Sequence, residues 1–259
     1  MKTTRKQPTR RPLSRRARIL IVALALLLVA ALGIGAYLLF SDRSDLNTIV
    51  ADTTELYRDT KTGATYRILP ASYEPIARGE EYGELDMNGV DYILHRVAGL
   101  EATEWLCSVY GDVYCAEELD PATFDAWNIN ALHVCTNTNL VTDALLIKPD
   151  AAHPRELCDE LFALLQDTYK SGTPVYYPSY ATAEEVYTLR FESEDAPGLY
   201  FSIKLIKYTE DIYEGETNLG RTFLYDRYAG RCVAVSDIIF RMLDGKTLAE
   251  AMDEVRGNG

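Results

Sequence analysis

The chain has 259 residues and a formal net charge of −13 at pH 7, and its charges are divided unevenly along the sequence. All 39 acidic residues follow residue 40, together with 18 of the 26 basic residues, so this part of the chain has a net charge of −21. Nucleic-acid binding needs clustered Lys and Arg to neutralise phosphates, and this composition therefore predicts no nucleic-acid partner.

Residues 19–40 form an uncharged apolar run of 22 residues. As a helix the run would be about 33 Å long, close to the hydrocarbon thickness of a bilayer. Eight basic and no acidic residues precede it, and basic flanking residues stay on the cytoplasmic side of a membrane. The sequence therefore predicts a single-pass protein of the cell membrane with a basic cytoplasmic tail (1–18), a transmembrane signal-anchor helix (19–40), a polar tether (41–53) and an acidic extracytoplasmic domain (54–259).

A cleaved secretory signal peptide is the alternative interpretation of the apolar run. Gly33 and Gly35 could form its small-residue cleavage site, but the run continues to Phe40, which favours an uncleaved helix. The expected partners are the lipid bilayer, through residues 19–40, and an unknown envelope protein or wall component.

Most of the region after residue 54 alternates between apolar and polar residues, which is typical of antiparallel strands with one buried face. The clearest hairpin is predicted at Asn88-Gly89, a pair that suits a type I′ turn. Strands are expected at 56–58, 64–69, 73–78, 82–87, 90–97, 105–109, 113–116, 130–136, 142–147, 185–192, 199–207, 221–228 and 231–235.

One long amphipathic helix is predicted at 154–170, where apolar residues recur at helical spacing. Two short helices are predicted near the end of the chain, at 237–243 and 247–256. The sequence thus favours an α+β class: a transmembrane helix followed by a mainly antiparallel β domain with these helices. If the domain has two lobes, the expected boundary lies near 137–153.

The five cysteines all follow residue 100. Cys107 and Cys115 flank a segment centred on Gly111, and a turn at 110–112 would bring them opposite each other across a hairpin. Opposed β-carbons are close enough for a disulfide, so this pair is the disulfide candidate. Because the number of cysteines is odd, at least one thiol stays free.

His133 and Cys135 are the candidate catalytic residues. They are two positions apart in a predicted strand, so their side chains lie on the same side, and a thiol beside an imidazole is the minimum for an activated thiolate. The Thr-Leu-x-Thr-Cys motif of sortase-type transpeptidases is absent. A buried cysteine and a partly buried histidine explain the same residues.

Metal and cofactor sites have little support in the sequence. The best metal candidate is an acidic loop that lacks the spacing of a calcium-binding loop; its residues are Glu210, Asp211, Glu214 and Glu216. No phosphate-binding loop, zinc motif or serine-hydrolase motif occurs. We therefore expect no cofactor.

Two functions agree with these features. The first is a non-enzymatic binding or structural module at the cell envelope. Tyrosine is enriched at protein interfaces, and the partner-contact candidates are Tyr176, Tyr177, Tyr180, Tyr200 and Tyr208. The alternative is a membrane-anchored hydrolase or transpeptidase acting on wall glycan or peptide. The missing catalytic motifs favour the first.

Overall fold

A computed structural model describes residues 46–87, 90–136 and 143–257, together with Leu28. The fold lies in the compact unit of residues 47–259. Within the described residues, 46% are in strands and 18% in helices. The strands are β1 (Asn47–Ala51), β2 (Leu56–Asp59), β3 (Thr65–Ile68), β4 (Tyr73–Pro75), β5 (Arg78–Met87), β6 (Val90–Val97), β7 (Trp105–Ser108), β8 (Val113–Ala116), β9 (Ile129–Thr136), β10 (Asp143–Ile147), β11 (Ala183–Ser193), β12 (Leu199–Glu214), β13 (Thr217–Asp226) and β14 (Arg231–Ala234).

Seven of these strands form a closed barrel in the order β1-β2-β3-β8-β7-β6-β5. Every neighbouring pair is antiparallel except β1 and β5, whose parallel pairing closes the ring. Apolar and aromatic side chains of alternate positions fill the interior, as expected for a barrel of this size. They are Ile49, Tyr57, Tyr66, Leu85, Leu94, Leu106 and Tyr114.

The closing pair depends on Gly83, which lies opposite Asn47. A β-carbon at Gly83 would be 2.8 Å from the Asn47 carbonyl oxygen and 3.1 Å from Ile49 Cδ1. Glycine inside a strand often marks such a close approach of two backbones. Only a residue without a side chain lets β1 reach β5 here.

The remaining strands form one antiparallel sheet in the order β10-β9-β11-β12-β13-β14. The short strand β4 pairs with the first residues of β12, with Glu74 opposite Tyr200. β4 stands between two barrel strands in the sequence, so this pairing joins the chain of the barrel to the sheet.

One face of the sheet is apolar and is packed with the helices α1 (Arg155–Ser171), α2 (Ile238–Leu243) and α3 (Leu248–Gly257). α1 buries one side of its surface. Gln166 on this helix donates two hydrogen bonds of 2.7 Å, to the carbonyl oxygens of Phe124 and Trp127. The opposite face of the sheet is polar in part and elsewhere carries a second apolar cluster that includes Ile206, Phe223 and Cys232.

The predicted α+β class is wrong: the described chain is mostly β and contains a closed barrel. Alternation along a strand shows that one face is buried, but it contains no information on whether the outer strands of a sheet meet. Here closure depends on β1, which lies inside the predicted polar tether 41–53.

The transmembrane prediction is also corrected. None of the helices in the described part of the chain is long and apolar enough to span a membrane, so the single-pass, signal-anchor assignment is not supported. Apart from Leu28, residues 19–40 lie outside the described residues, as does the tail 1–18. Hydropathy reports the composition of a segment and not its surroundings, so the apolar run alone does not establish a span.

The transition from barrel to sheet differs from the expected lobe boundary at 137–153. The chain leaves the barrel after β8 and enters the sheet at β9, so the connection is 117–128. β10 lies inside the expected boundary but pairs with β9 as part of the sheet.

Candidate functional site

The polar face of the sheet brings charged and hydroxyl side chains from five strands together. Residues paired directly across neighbouring antiparallel strands point to the same face. Three such rows cross this face: Glu74, Tyr200 and Glu192; Ser202, Arg190 and His133; and Tyr225, Lys204, Thr188 and Cys135.

Arg190 is the central cation of this face. Its guanidinium forms an ion pair with the Glu74 carboxylate, and its Cζ lies 5.4 Å from the centre of the Tyr200 ring, a cation–π contact. Among the described residues, its buried Nε has no hydrogen-bond partner. Arg190 thus joins β4 to the sheet, and one of its donors is unused within the described part of the chain.

Lys204 lies in the next row of the same face. Its ammonium group donates a hydrogen bond of 2.6 Å to the Thr188 hydroxyl. Burial lowers the pKa of Lys204 below its ordinary value, and the nearby Glu74 carboxylate opposes part of that shift. The charged form of Lys204 is therefore only partly stabilised by its surroundings.

Two concavities border this polar face, with volumes of about 470 and 440 Å³, and a third of about 310 Å³ lies on the helix-covered side of the sheet, against Tyr73, Phe201 and Tyr169. All three are lined by Tyr228, and the first two share Ala71 and Glu74. We call the first two together the central groove. The first is bordered by 74–78, the turn 109–112 and Arg190; the second by β11, β12, Tyr177 and Arg227; and the third by 70–73, Tyr169 and Asp226.

Tyrosines stand along the central groove. Tyr228 is 57% exposed and Tyr110, at the first concavity, is 76% exposed. At the second concavity Tyr177 stacks on Tyr225, with ring centroids 4.3 Å apart. Such rings offer flat apolar surface with a polar edge, which suits contact with a ring-bearing ligand.

The turn that holds Tyr228 is fixed by the buried Asp226 carboxylate. This group accepts hydrogen bonds from the backbone N–H groups of Tyr228 and Ala229, at 2.9 and 3.1 Å. It also accepts one from the Tyr169 hydroxyl on α1, at 3.1 Å. Burial, and then the charge of Asp226, raise the pKa of Tyr169 above its ordinary value.

Tyr169→Phe is expected to lower the free energy of unfolding by about 1 kcal/mol, because it leaves one buried oxygen of Asp226 without this donor. Urea denaturation of the two proteins measures the difference. Tyr187→Phe is a suitable control, because Tyr187 also packs against the apolar core but has no hydroxyl hydrogen bond among the described residues. Equal losses in the two variants would contradict a role for the Asp226 contact.

His133 and Cys135 do come together, but not as a nucleophile and its base. Cys135 is fully buried, and its thiol points to the His133 carbonyl oxygen 3.9 Å away. His133 Nε2 lies 2.6 Å from Glu192 Oε1, and the imidazole packs edge-on against Tyr200. A reactive thiolate needs solvent exposure as well as a positive neighbour, and the Cys135 thiol is fully buried.

The four acidic metal candidates lie at the β12–β13 hairpin. Asp211 accepts hydrogen bonds from Arg221 Nε at 2.7 Å and Asn218 Nδ2 at 2.9 Å. The hydrogen bond from Arg221 lowers the pKa of Asp211. Among the residues that the structure describes, no group of three His, Cys, Asp or Glu side chains is arranged to hold a metal ion. This finding includes Glu210, Glu214 and Glu216.

The predicted register of the cysteine hairpin is wrong. β7 and β8 pair with Cys107 opposite Val113 and Trp105 opposite Cys115, so the two cysteines are two positions out of register. The turn begins at Ser108, whose hydroxyl donates a hydrogen bond of 2.8 Å to the Asp112 carboxylate. The pairing of the two strands is therefore shifted by two residues from the predicted one. Both thiols are free and buried, and burial raises the pKa of Cys107 to about 11.

The five tyrosine candidates have different surroundings. Tyr176 and Tyr180 are 87% and 73% exposed, and both are available for contact. Tyr177 and Tyr200 are half-buried, at the second concavity and on the polar face. Tyr208 is 1% exposed and packs on Phe223, so its prediction as a contact residue is wrong.

Sequence reasoning missed Arg190, Lys204 and Tyr228. Arg190 and Lys204 are polar residues of strands that the sequence does predict, and their alternation with apolar neighbours already assigns them to the polar face. No pattern in the sequence indicates that Glu74 and Tyr228 meet them there.

The chain matches no protein-family model, no curated protein and no solved structure.

Proposed function

We propose that this protein is a non-enzymatic binding module whose ligand occupies the central groove. The observation that carries this proposal is the meeting of two concavities of the polar face at one exposed residue, Tyr228. Each has a volume within or near the range of small-molecule sites, roughly 300–1,000 Å³. Its natural partner and its location stay predictions from the sequence.

The polar groups of the central groove support binding better than hydrolysis. The hydrolases that the sequence leaves open act through a thiol or through two carboxyl groups, and these groups must be open to the substrate. Among the residues that line the first concavity, the Glu74 carboxylate is bound to Arg190 and that of Asp112 to Ser108. These acids hold the walls of the groove in place, which is what a preformed binding surface requires.

The test is a screen of uncharged ring-bearing fragments, including benzyl alcohol, against the full chain by protein-detected NMR. The expected shifts concentrate at residues of the central groove. Tyr228→Ala is expected to weaken the bound fragments by about fivefold, because it removes one aromatic contact.

Tyr213→Ala is the matched control, since Tyr213 is 56% exposed against 57% for Tyr228 but lies at the β12–β13 hairpin. Its fragment affinities are expected to equal those of the unchanged protein. Fragments that bind elsewhere, or that bind the Tyr228→Ala variant equally well, would contradict the proposed function.

A further inference from the structure

The second concavity has a charge opposite to that of the chain around it. Lys204 and Arg227 line it with one acidic residue, Glu74, whereas the chain after residue 40 has 39 acids against 18 bases. Glu74 is already bound to Arg190. Because Arg190 offsets the charge of Glu74, the remaining charges of the cleft are the positive ones of Lys204 and Arg227, and such a cleft attracts an anion.

The hydroxyl groups of the second concavity suit the same ligand. Ser202 and Thr188 both line it. The buried Ser202 hydroxyl has no hydrogen-bond partner among the described residues. Buried hydroxyl groups normally have one. A ligand oxygen that approaches Lys204 would meet these hydroxyls as further donors.

Arg227 completes the arrangement from the turn between β13 and β14. It is exposed and belongs to no ion pair among the described residues. It directly precedes Tyr228, so one turn brings a cation and an aromatic ring to the same groove. An anionic group beside a ring would use both.

We propose that the ligand of the central groove carries an oxyanion, a phosphate or a carboxylate, seated in the second concavity between Lys204 and Arg227. Its ring or apolar body packs against Tyr177 and Tyr228. This inference rests on the proposed function, because it names the ligand class of the same groove.

The experiment is an NMR titration of the full chain with phenyl phosphate, benzoate, inorganic phosphate and benzyl alcohol. The expected affinity for phenyl phosphate or benzoate is about tenfold higher than for benzyl alcohol, since a charge-assisted contact adds to the ring contact. The better of the two acids identifies the oxyanion, and inorganic phosphate separates recognition of the anion alone from recognition of the whole molecule.

Two variants and a control test where the anion is held. Arg227→Gln and Lys204→Met are each expected to weaken the preferred acid by about fivefold. Arg155→Gln is the control, because Arg155 is exposed at the start of α1 and its replacement changes the net charge equally.

The outcomes separate the two proposals. Equal affinity for benzyl alcohol and the acids, with both in the central groove, would overturn the oxyanion inference and leave the proposed function standing. Equal weakening by Arg227→Gln and Arg155→Gln would show a general charge effect and would also overturn it. Acids that bind outside the groove, together with uncharged fragments that do so, would overturn both.

Discussion

Asp59→Asn is expected to lower the free energy of unfolding by about 3 kcal/mol, because it removes a charged acceptor from a buried site with several donors. The Asp59 side chain is fully buried. One oxygen accepts hydrogen bonds of 2.7 Å from both Asn47 Nδ2 and the Tyr82 hydroxyl. The other accepts from the backbone N–H groups of Lys61 and Thr62, at 2.8 and 3.1 Å.

These contacts lie at the closure of the barrel. Asp59 ends β2, Asn47 begins β1 and Tyr82 is in β5, so one carboxylate connects the two strands of the closing pair to a third. An amide at this position would turn its NH₂ group towards donors on one side or the other. At least one buried donor would then have no acceptor, which is the costly case.

The effect of Asp59→Asn depends on pH in a defined direction. Burial alone would raise the pKa of Asp59, but hydrogen bonds from Tyr82, Lys61 and Thr62 outweigh it and hold the pKa below its ordinary value. The stabilisation by Asp59 is therefore complete above the unfolded-chain pKa, about 3.9, and is lost as the pH falls through the lower folded value. Urea denaturation from pH 7 down to pH 3 is expected to show the gap between the two proteins closing below about pH 4.

Asp52→Asn serves as the control, because Asp52 is exposed and its partner Arg58 is also at the surface. Surface ion pairs contribute less than about 1 kcal/mol, so this variant is expected to unfold almost like the unchanged protein. A loss for Asp59→Asn no larger than that for Asp52→Asn would contradict the role of the buried carboxylate.

Gly83→Ala is expected to destabilise the protein by about 2–3 kcal/mol, a typical cost of forcing extra volume into a packed site. The new methyl group would lie 2.8 Å from the Asn47 carbonyl oxygen. Because that neighbour is backbone, the contact can be relieved only by moving β1 away from β5. Amide hydrogen exchange is expected to accelerate along β1 and β5 and to change little in the sheet.

Gly257→Ala is the matched replacement, since a β-carbon there meets no atom within 4 Å and the residue lies at the end of α3. Its stability and exchange rates are expected to stay close to those of the unchanged chain. Uniform acceleration of exchange over the barrel and the sheet in Gly83→Ala would contradict a local effect at the closing pair.

The local elements of this fold follow from the sequence, but their closure into a barrel does not. The strands on both sides of Asn88-Gly89 are predictable because alternation and turn chemistry act over a few residues. The parallel pair β1–β5 joins strands about 35 residues apart, and its decisive residue is a glycine, which leaves no hydrophobic signal. β1 itself has only five residues and lies in a polar segment without a clear strand pattern.

The candidate site divides in the same way. That Arg190 and Lys204 share the polar face of the sheet can be inferred from their alternation with Leu189 and Ile203. That Glu74 joins them depends on the three-residue strand β4 leaving the barrel to pair with β12, and no residue pattern indicates this. The disulfide candidate shows how sensitive such predictions are to the position of a turn. A shift of two residues at the turn between β7 and β8 places Cys107 opposite Val113 instead of Cys115.

The most direct test of the binding proposal is a crystal structure of the full chain soaked with phenyl phosphate. The expected result is the phosphate between Lys204 and Arg227 and the ring against Tyr228, in the second concavity of the central groove. A ligand bound only outside the groove, with Tyr228 and the concavities unoccupied, would contradict it.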